Sequence, residues 1–276
     1  MSWRVYAMDT YFYNSLGAYE FDARCEMLKE LGYDATYLTC WNEAAWEDVK
    51  RLGQVKRRFG LDVAACYVTL DLAEDLSSPR HRQVIELIEQ VEGCWNIELS
   101  VRWTGRETSD PAGDEQAAGV LAELLRRAEK RQIQLLLYPH LNHWVERIED
   151  GVRLCRQVRH PHLGVVFCGF HWYAADGKNL PLRLEEAKPY VRLANLCGSR
   201  RAPGQAVPSI EPLDSGELDN FSVVTQLQNI GYDGLIGFQG YGIGGDVYTM
   251  LRRSLGAFRD IERRVQEHPE WGKLRG

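Results

Sequence analysis

Ile133-Gln134-Leu135-Leu136-Leu137-Tyr138-Pro139-His140 and Leu163-Gly164-Val165-Val166-Phe167-Cys168-Gly169-Phe170-His171 decide the fold of this chain. Each contains an unbroken apolar run, Leu135 to Leu137 in one and Gly164 to Phe167 in the other, and ends in Pro or Gly beside polar and aromatic residues. A strand with one wet face alternates, whereas a strand covered on both faces reads as a continuous run, as in a parallel sheet between helices. Working outward, similar runs occupy residues 5–8, 35–38, 63–68 and 97–101 before this pair, and 191–196 and 235–238 after it. The ends of these eight candidate strands lie 29 to 42 positions apart, room for a strand, a loop, a crossover helix and a second loop.

Helical periodicity fills the gaps at residues 21–31, 44–59, 80–91, 114–130, 145–158, 184–190, 221–230 and 247–265. Val120, Leu121, Leu124, Leu125 and Ala128 share one face, while Arg126, Arg127, Glu129 and Lys130 occupy much of the other. Gly32, Gly60 and Gly231 follow predicted helices, where a left-handed cap suits glycine. Eight right-handed βα units predict an α/β protein, a single-domain (β/α)8 TIM barrel over residues 1–276; a doubly wound open sheet is the alternative. No Pro/Gly/Ser-rich linker divides the chain.

With 45% hydrophobic and 26% charged residues, the composition excludes disordered and collagenous classes. A net charge of -6 and the lack of a basic run argue against nucleic-acid or anionic-membrane partners. Met1-Ser2-Trp3-Arg4-Val5 does not read as a leader, and no apolar window is long enough to span a membrane, so a cytoplasmic location is expected. Seven cysteines without a CxxC pair predict reduced thiols.

In such a barrel, the ends of the strands and the loops after them line the active face. Gly164-Val165-Val166-Phe167-Cys168-Gly169-Phe170-His171, then Pro212-Leu213-Asp214-Ser215-Gly216-Glu217-Leu218-Asp219 and Gly231-Tyr232-Asp233-Gly234, resemble the xylose-isomerase-like barrels, which include sugar phosphate isomerases and epimerases. The resemblance implies a divalent cation held by Glu, Asp, His and Glu after strands five to eight, with the two glutamates moving a proton beside a carbonyl. The matching positions here are Tyr138, Cys168, Asn195 and Gln239, and all four depart from that pattern. A hard cation wants anionic oxygen ligands, so the usual metal site is expected to be lost and no cofactor is predicted, an altered divalent site staying open. The resemblance also assigns His171 and Arg201 to substrate contact, His171 being the candidate catalytic residue.

Trp41, Trp103, Trp144 and Trp172 follow strand ends, where indole can stack on the CH face of a sugar. His140 and His143, with His171, could instead gather a soft cation, and Cys168 could act as a thiol, although loop histidines and buried thiols are commoner explanations. The carboxylates available as replacement bases are Asp9, Asp71, Glu211 and Asp214; Glu98, inside strand four, is expected to pair with Arg102 or face the helices. Gly240 to Gly245 read as a weak phosphate loop with Arg200 and Arg201 beside it. The expected ligand-contacting set is therefore Tyr138, His140, Cys168, His171, Asn195, Arg201, Gln239, Trp103 and Trp172. These residues predict a divergent isomerase- or epimerase-like protein for a small keto-sugar or polyol, working without the usual metal. The alternative is a noncatalytic sugar-binding or regulatory protein that kept the pocket. Assembly as a homo-oligomer is compatible with either.

Overall fold

The computed structural model describes residues 2–272. Eight parallel strands close a barrel: β1 (Val5–Ala7), β2 (Ala35–Thr39), β3 (Asp62–Asp71), β4 (Asn96–Arg102), β5 (Gln134–Leu137), β6 (Leu163–Cys168), β7 (Val191–Leu196) and, after a short antiparallel hairpin, β10 (Leu235–Phe238). The hairpin pairs β8 (Gly198–Arg200) with β9 (Ser209–Glu211) and sits between the last two barrel strands. It explains the longest of the sequence spacings. All eight predicted strands are present within a few residues of their expected bounds.

The helices are α1 (Phe21–Leu31), α2 (Glu43–Val49), α3 (Val55–Phe59), α4 (Pro79–Gln90), α5 (Asp114–Lys130), α6 (Ile148–Val158), α7 (Gly169–Ala175), α8 (Leu180–Ala187), α9 (Asn220–Asn229) and α10 (Val247–Glu267). The expected helix over 44–59 is corrected: it breaks around Gly53, where a Cβ would meet the Glu92 side chain at 2.9 Å. The helix expected over 184–190 starts earlier, at Leu180, because Pro181 in a first turn lacks only an N–H that would be unpaired anyway. Its end moves back to Ala187, two residues before Pro189. The short helix α7 had no periodicity long enough to announce it.

Alternation along the strands divides the core in two. Leu135, Leu137, Val165 and Phe167 pack outward under the helices, in the larger apolar cluster. Leu136, Tyr138, Val166 and Cys168 point into the barrel with Tyr6, Tyr37 and Tyr67. Tyrosines in place of the usual aliphatic layers make this interior unusually polar, and every phenol there needs a partner. Tyr37 donates to Glu98 and Tyr6 donates to Asn195. Glu98 therefore faces the barrel interior, fully buried, rather than Arg102 or the helix layer as expected from the sequence.

Candidate ligand site at the barrel mouth

A cavity of about 570 Å³ opens at the carboxyl ends of the strands. Met8 and Thr10 after β1, Thr39 and Trp41 around the end of β2, and Tyr67 of β3 form one wall. Tyr138, His140, Leu141 and Asn142 after β5, with Phe170 and His171 of α7, form another. Residues 207–210 of the hairpin, with Gln239, Tyr241 and Gly242 after β10, complete the lining. No Asp, Glu, Lys or Arg is among these residues.

Of the expected ligand contacts, Tyr138, His140, His171 and Gln239 reach this cavity. Asn195 does not: it is in register with Gly237, two residues before Gln239, and is held below the cavity by Tyr6. Cys168 lies at the floor, its Sγ accepting from Tyr138 Oη at 3.4 Å and donating to Gln239 Oε1 at 3.6 Å. Burial pushes its thiol up to about 11, so it stays protonated and the thiolate reading is set aside. Three of the four positions the resemblance assigns to the metal thus bond to one another, and the fourth bonds to Tyr6.

Arg201 turns away, donating to the Tyr173 and Ala174 carbonyls at the end of α7. Trp103 packs edge-on against buried Trp144 under the Arg106 guanidinium. Trp172 spends its indole N–H on the Lys178 carbonyl. Trp41 alone of the four loop tryptophans lines the cavity, with Tyr67 and Tyr241 edge-on to it at 6.0 and 5.9 Å. Tyr67 is not among the expected contacts because it lies inside β3 rather than in the loop after it; its register with Thr39, the last residue of β2, brings it to the cavity.

The candidate bases are already engaged. Asp9 accepts from the Thr39 N–H, the Thr39 hydroxyl and Tyr13, tying the loops after β1 and β2 together. Asp71 likewise accepts from Thr104 N–H and hydroxyl and from Ala73 N–H. Glu211 pairs with Arg200, and Asp214 with Arg253. In the glycine loop, Gly240 N–H bonds Thr10 and Gly242 N–H bonds Asn14, while Asp246 caps α10. Those two donors are not free for a phosphate, and no Lys or Arg lines the cavity beside them.

Three imidazoles lie side by side: His140 is stacked on His143, with ring centroids 4.0 Å apart, and tilted by 39° against His171 at 4.1 Å. Stacking does not converge ring nitrogens on one point, and among the described residues no group of His, Cys, Asp and Glu is arranged to hold a metal. Burial lowers the pKa of all three, that of His143 to about 3, so each is neutral at pH 7.

Among the described residues, no helix is long and apolar enough to cross a membrane. No curated protein matches the sequence. Similar solved structures are the IOLI protein with a bound zinc atom (TM-score 0.76, 14% identity, 94% of this chain and 97% of that one) and an L-ribulose 3-epimerase (0.75, 14%, 99% and 100%). The D-allulose 3-epimerase from Methylomonas sp. in complex with D-allulose is comparable (0.74, 14%, 94% and 98%). At such identities they share the fold. The sequence profile of the xylose isomerase-like TIM barrel matches residues 25–261, nearly the whole barrel, and on that match the chain belongs to the xylose isomerase-like TIM barrel family.

Proposed function

We propose that this chain recognises a small neutral sugar or polyol at the barrel mouth, without the divalent cation that its family resemblance implies. The observation that carries the reading is the lining itself: aromatic faces and neutral donors and acceptors, with no ionised side chain. The CH face of a sugar stacks on Trp41 or Tyr241, and its hydroxyls suit amides, hydroxyls and imidazoles. A phosphate ester would be buried without a cation, at a cost of several kcal/mol.

The four positions assigned to the metal do not fit a hard cation. They supply a phenol, a thiol and two amides, all neutral; burial holds the phenol of Tyr138 well above its ordinary pKa. Neither glutamate of the two-glutamate mechanism is present. Conversion of the bound sugar, as an isomerase or epimerase would perform it, is the second reading, favoured by the two imidazoles His140 and His171 in the wall. A neutral imidazole N–H can polarise a carbonyl.

Calorimetric titration tests both. D-Fructose and myo-inositol are expected to bind, fructose 6-phosphate to bind more weakly, and chelator-treated protein to show no heat with Mn²⁺ or Mg²⁺. Trp41→Ala is expected to weaken the neutral sugar about tenfold, or roughly 1.4 kcal/mol. Tighter binding of the phosphate ester, or tight binding of Mn²⁺, would overturn the proposal. Deuterium uptake from D₂O at the carbon beside the carbonyl, followed by NMR, separates conversion from binding alone.

A further inference from the structure

Glu98 carries a carboxyl into the barrel interior, where nothing around it offsets a charge. The groups that face it are the phenols of Tyr6, Tyr37, Tyr67, Tyr138 and Tyr232 and the Cys168 thiol, with no Lys, Arg or His among them. Tyr37 donates to its Oε2, and its Oε1 has no partner although the residue is fully buried. Along the sheet Glu98 is in register with Tyr67 of β3 and Leu136 of β5, and Tyr138 follows two residues beyond Leu136 on the same face. Tyr67 and Tyr138 meet edge-on at 5.2 Å, and both line the cavity. One layer of phenols thus separates this carboxyl from a bound ligand.

We propose that Glu98 is a proton-operated switch beneath the cavity floor: protonated, it leaves the floor in its ligand-binding arrangement, and ionised, it draws the Tyr138 hydroxyl downward and weakens the ligand. The switch rests on the cavity being a sugar site and adds the control of that site. A protonated carboxyl donates once and accepts the Tyr37 bond, whereas an ionised one only accepts, on both oxygens, and needs a second donor. Tyr138 Oη is the donor most easily released, because its acceptor is a thiol sulfur at 3.4 Å while the other phenols bond oxygen. Turned toward Glu98, that hydroxyl is lost to the ligand. Burial pushes the carboxyl up to about 8. The other groups at the site do not titrate nearby: burial pushes Cys168 up to about 11 and Tyr67 up to about 12, and holds all three cavity-side imidazoles below their ordinary range. By linkage, a ligand that prefers the protonated form takes up a proton when it binds just above pH 8.

Calorimetric titration of D-fructose between pH 6.5 and 9.5 tests the switch. In the wild type the dissociation constant is expected to rise at least about fivefold across that range, and runs in two buffers of different ionisation enthalpy should show proton uptake on binding. Glu98→Gln, which cannot ionise, should bind with an affinity independent of pH and without proton uptake. Tyr37→Phe removes the bond that favours the carboxylate, so its midpoint should move to higher pH; it serves as the second variant if glutamine prevents folding. A readout that needs no ligand is the ¹⁹F NMR signal of Trp41 in protein labelled with fluorotryptophan, since that ring meets Tyr67 edge-on at the cavity. It should shift with a midpoint near pH 8 in the wild type and not in Glu98→Gln. Fructose binding that is flat with pH, or that falls equally in Glu98→Gln, overturns the switch and leaves the neutral-sugar reading standing. If neither fructose nor inositol binds at any pH, the neutral-sugar reading falls, and the Trp41 signal decides the switch by itself: a shift supports it, and a flat signal overturns it.

Discussion

Glu98→Gln is expected to stabilise the protein at alkaline pH, raising the melting temperature at pH 9 by roughly 10 °C and changing little at pH 5. Glu98 is fully buried inside the barrel, where its Oε2 accepts from Tyr37 and its Oε1 has no partner. Burial raises its pKa from 4.5 to about 8, the Tyr37 hydrogen bond opposing only part of that shift. A folded pKa above the unfolded one means that the native state holds the proton more tightly. The favourable contribution is complete below about pH 4.5 and is lost as pH rises through 8. Over that span the loss is on the order of 4 kcal/mol. Glutamine keeps the shape of the protonated acid and cannot ionise, so its melting curve should be nearly flat where the wild type falls. Superimposable pH profiles of melting temperature for the two proteins would show that Glu98 is not the group responsible.

The same residue marks how far the sequence could be read. An acidic residue in a strand offers Arg102 as an obvious sequence neighbour, and nothing local says that Tyr37, 61 positions away, supplies its hydrogen bond. The strands were legible because burial on both faces removes alternation, a signal each strand carries by itself. Which polar side chains reach the cavity depends on stagger between strands. Tyr138, His140, His171 and Gln239 reach it, whereas Asn195, also at a strand end, stops one register step short. Arg201 and Trp103 were misplaced for a related reason: a loop position fixes where a side chain starts, and the partner it finds fixes where it ends. Arg201 finds the carbonyls at the end of α7, and Trp103 finds Trp144. Residues 207–210 reach the cavity on a hairpin whose two strands are joined by the irregular loop 201–208, which no periodicity encodes.

Gly237→Ala is expected to destabilise the protein by about 3–5 kcal/mol, through two effects that add at one point. Gly237 is in register with Tyr6 on one side and Asn195 on the other. A Cβ there would overlap the Tyr6 ring and Asn195 Oδ1, the two partners of the buried hydrogen bond beneath the cavity. Both side chains are fully buried, so neither can swing into solvent. Overpacking a rigid interior costs about 1–3 kcal/mol, and separating the pair leaves a phenol and an amide unsatisfied at a similar further cost. Asn195 Nδ2 already lacks a partner, so the amide has no alternative bond to fall back on. The same substitution at Gly256, exposed within α10 with nothing within 4 Å of the added carbon, should instead stabilise by about 0.5–1 kcal/mol, because alanine restricts the unfolded chain more. Denaturant unfolding of the two variants should therefore shift the midpoint in opposite directions. A Gly237→Ala protein with an unchanged midpoint would mean that the Tyr6 and Asn195 pair yields without cost, and that the cavity floor is softer than its burial implies.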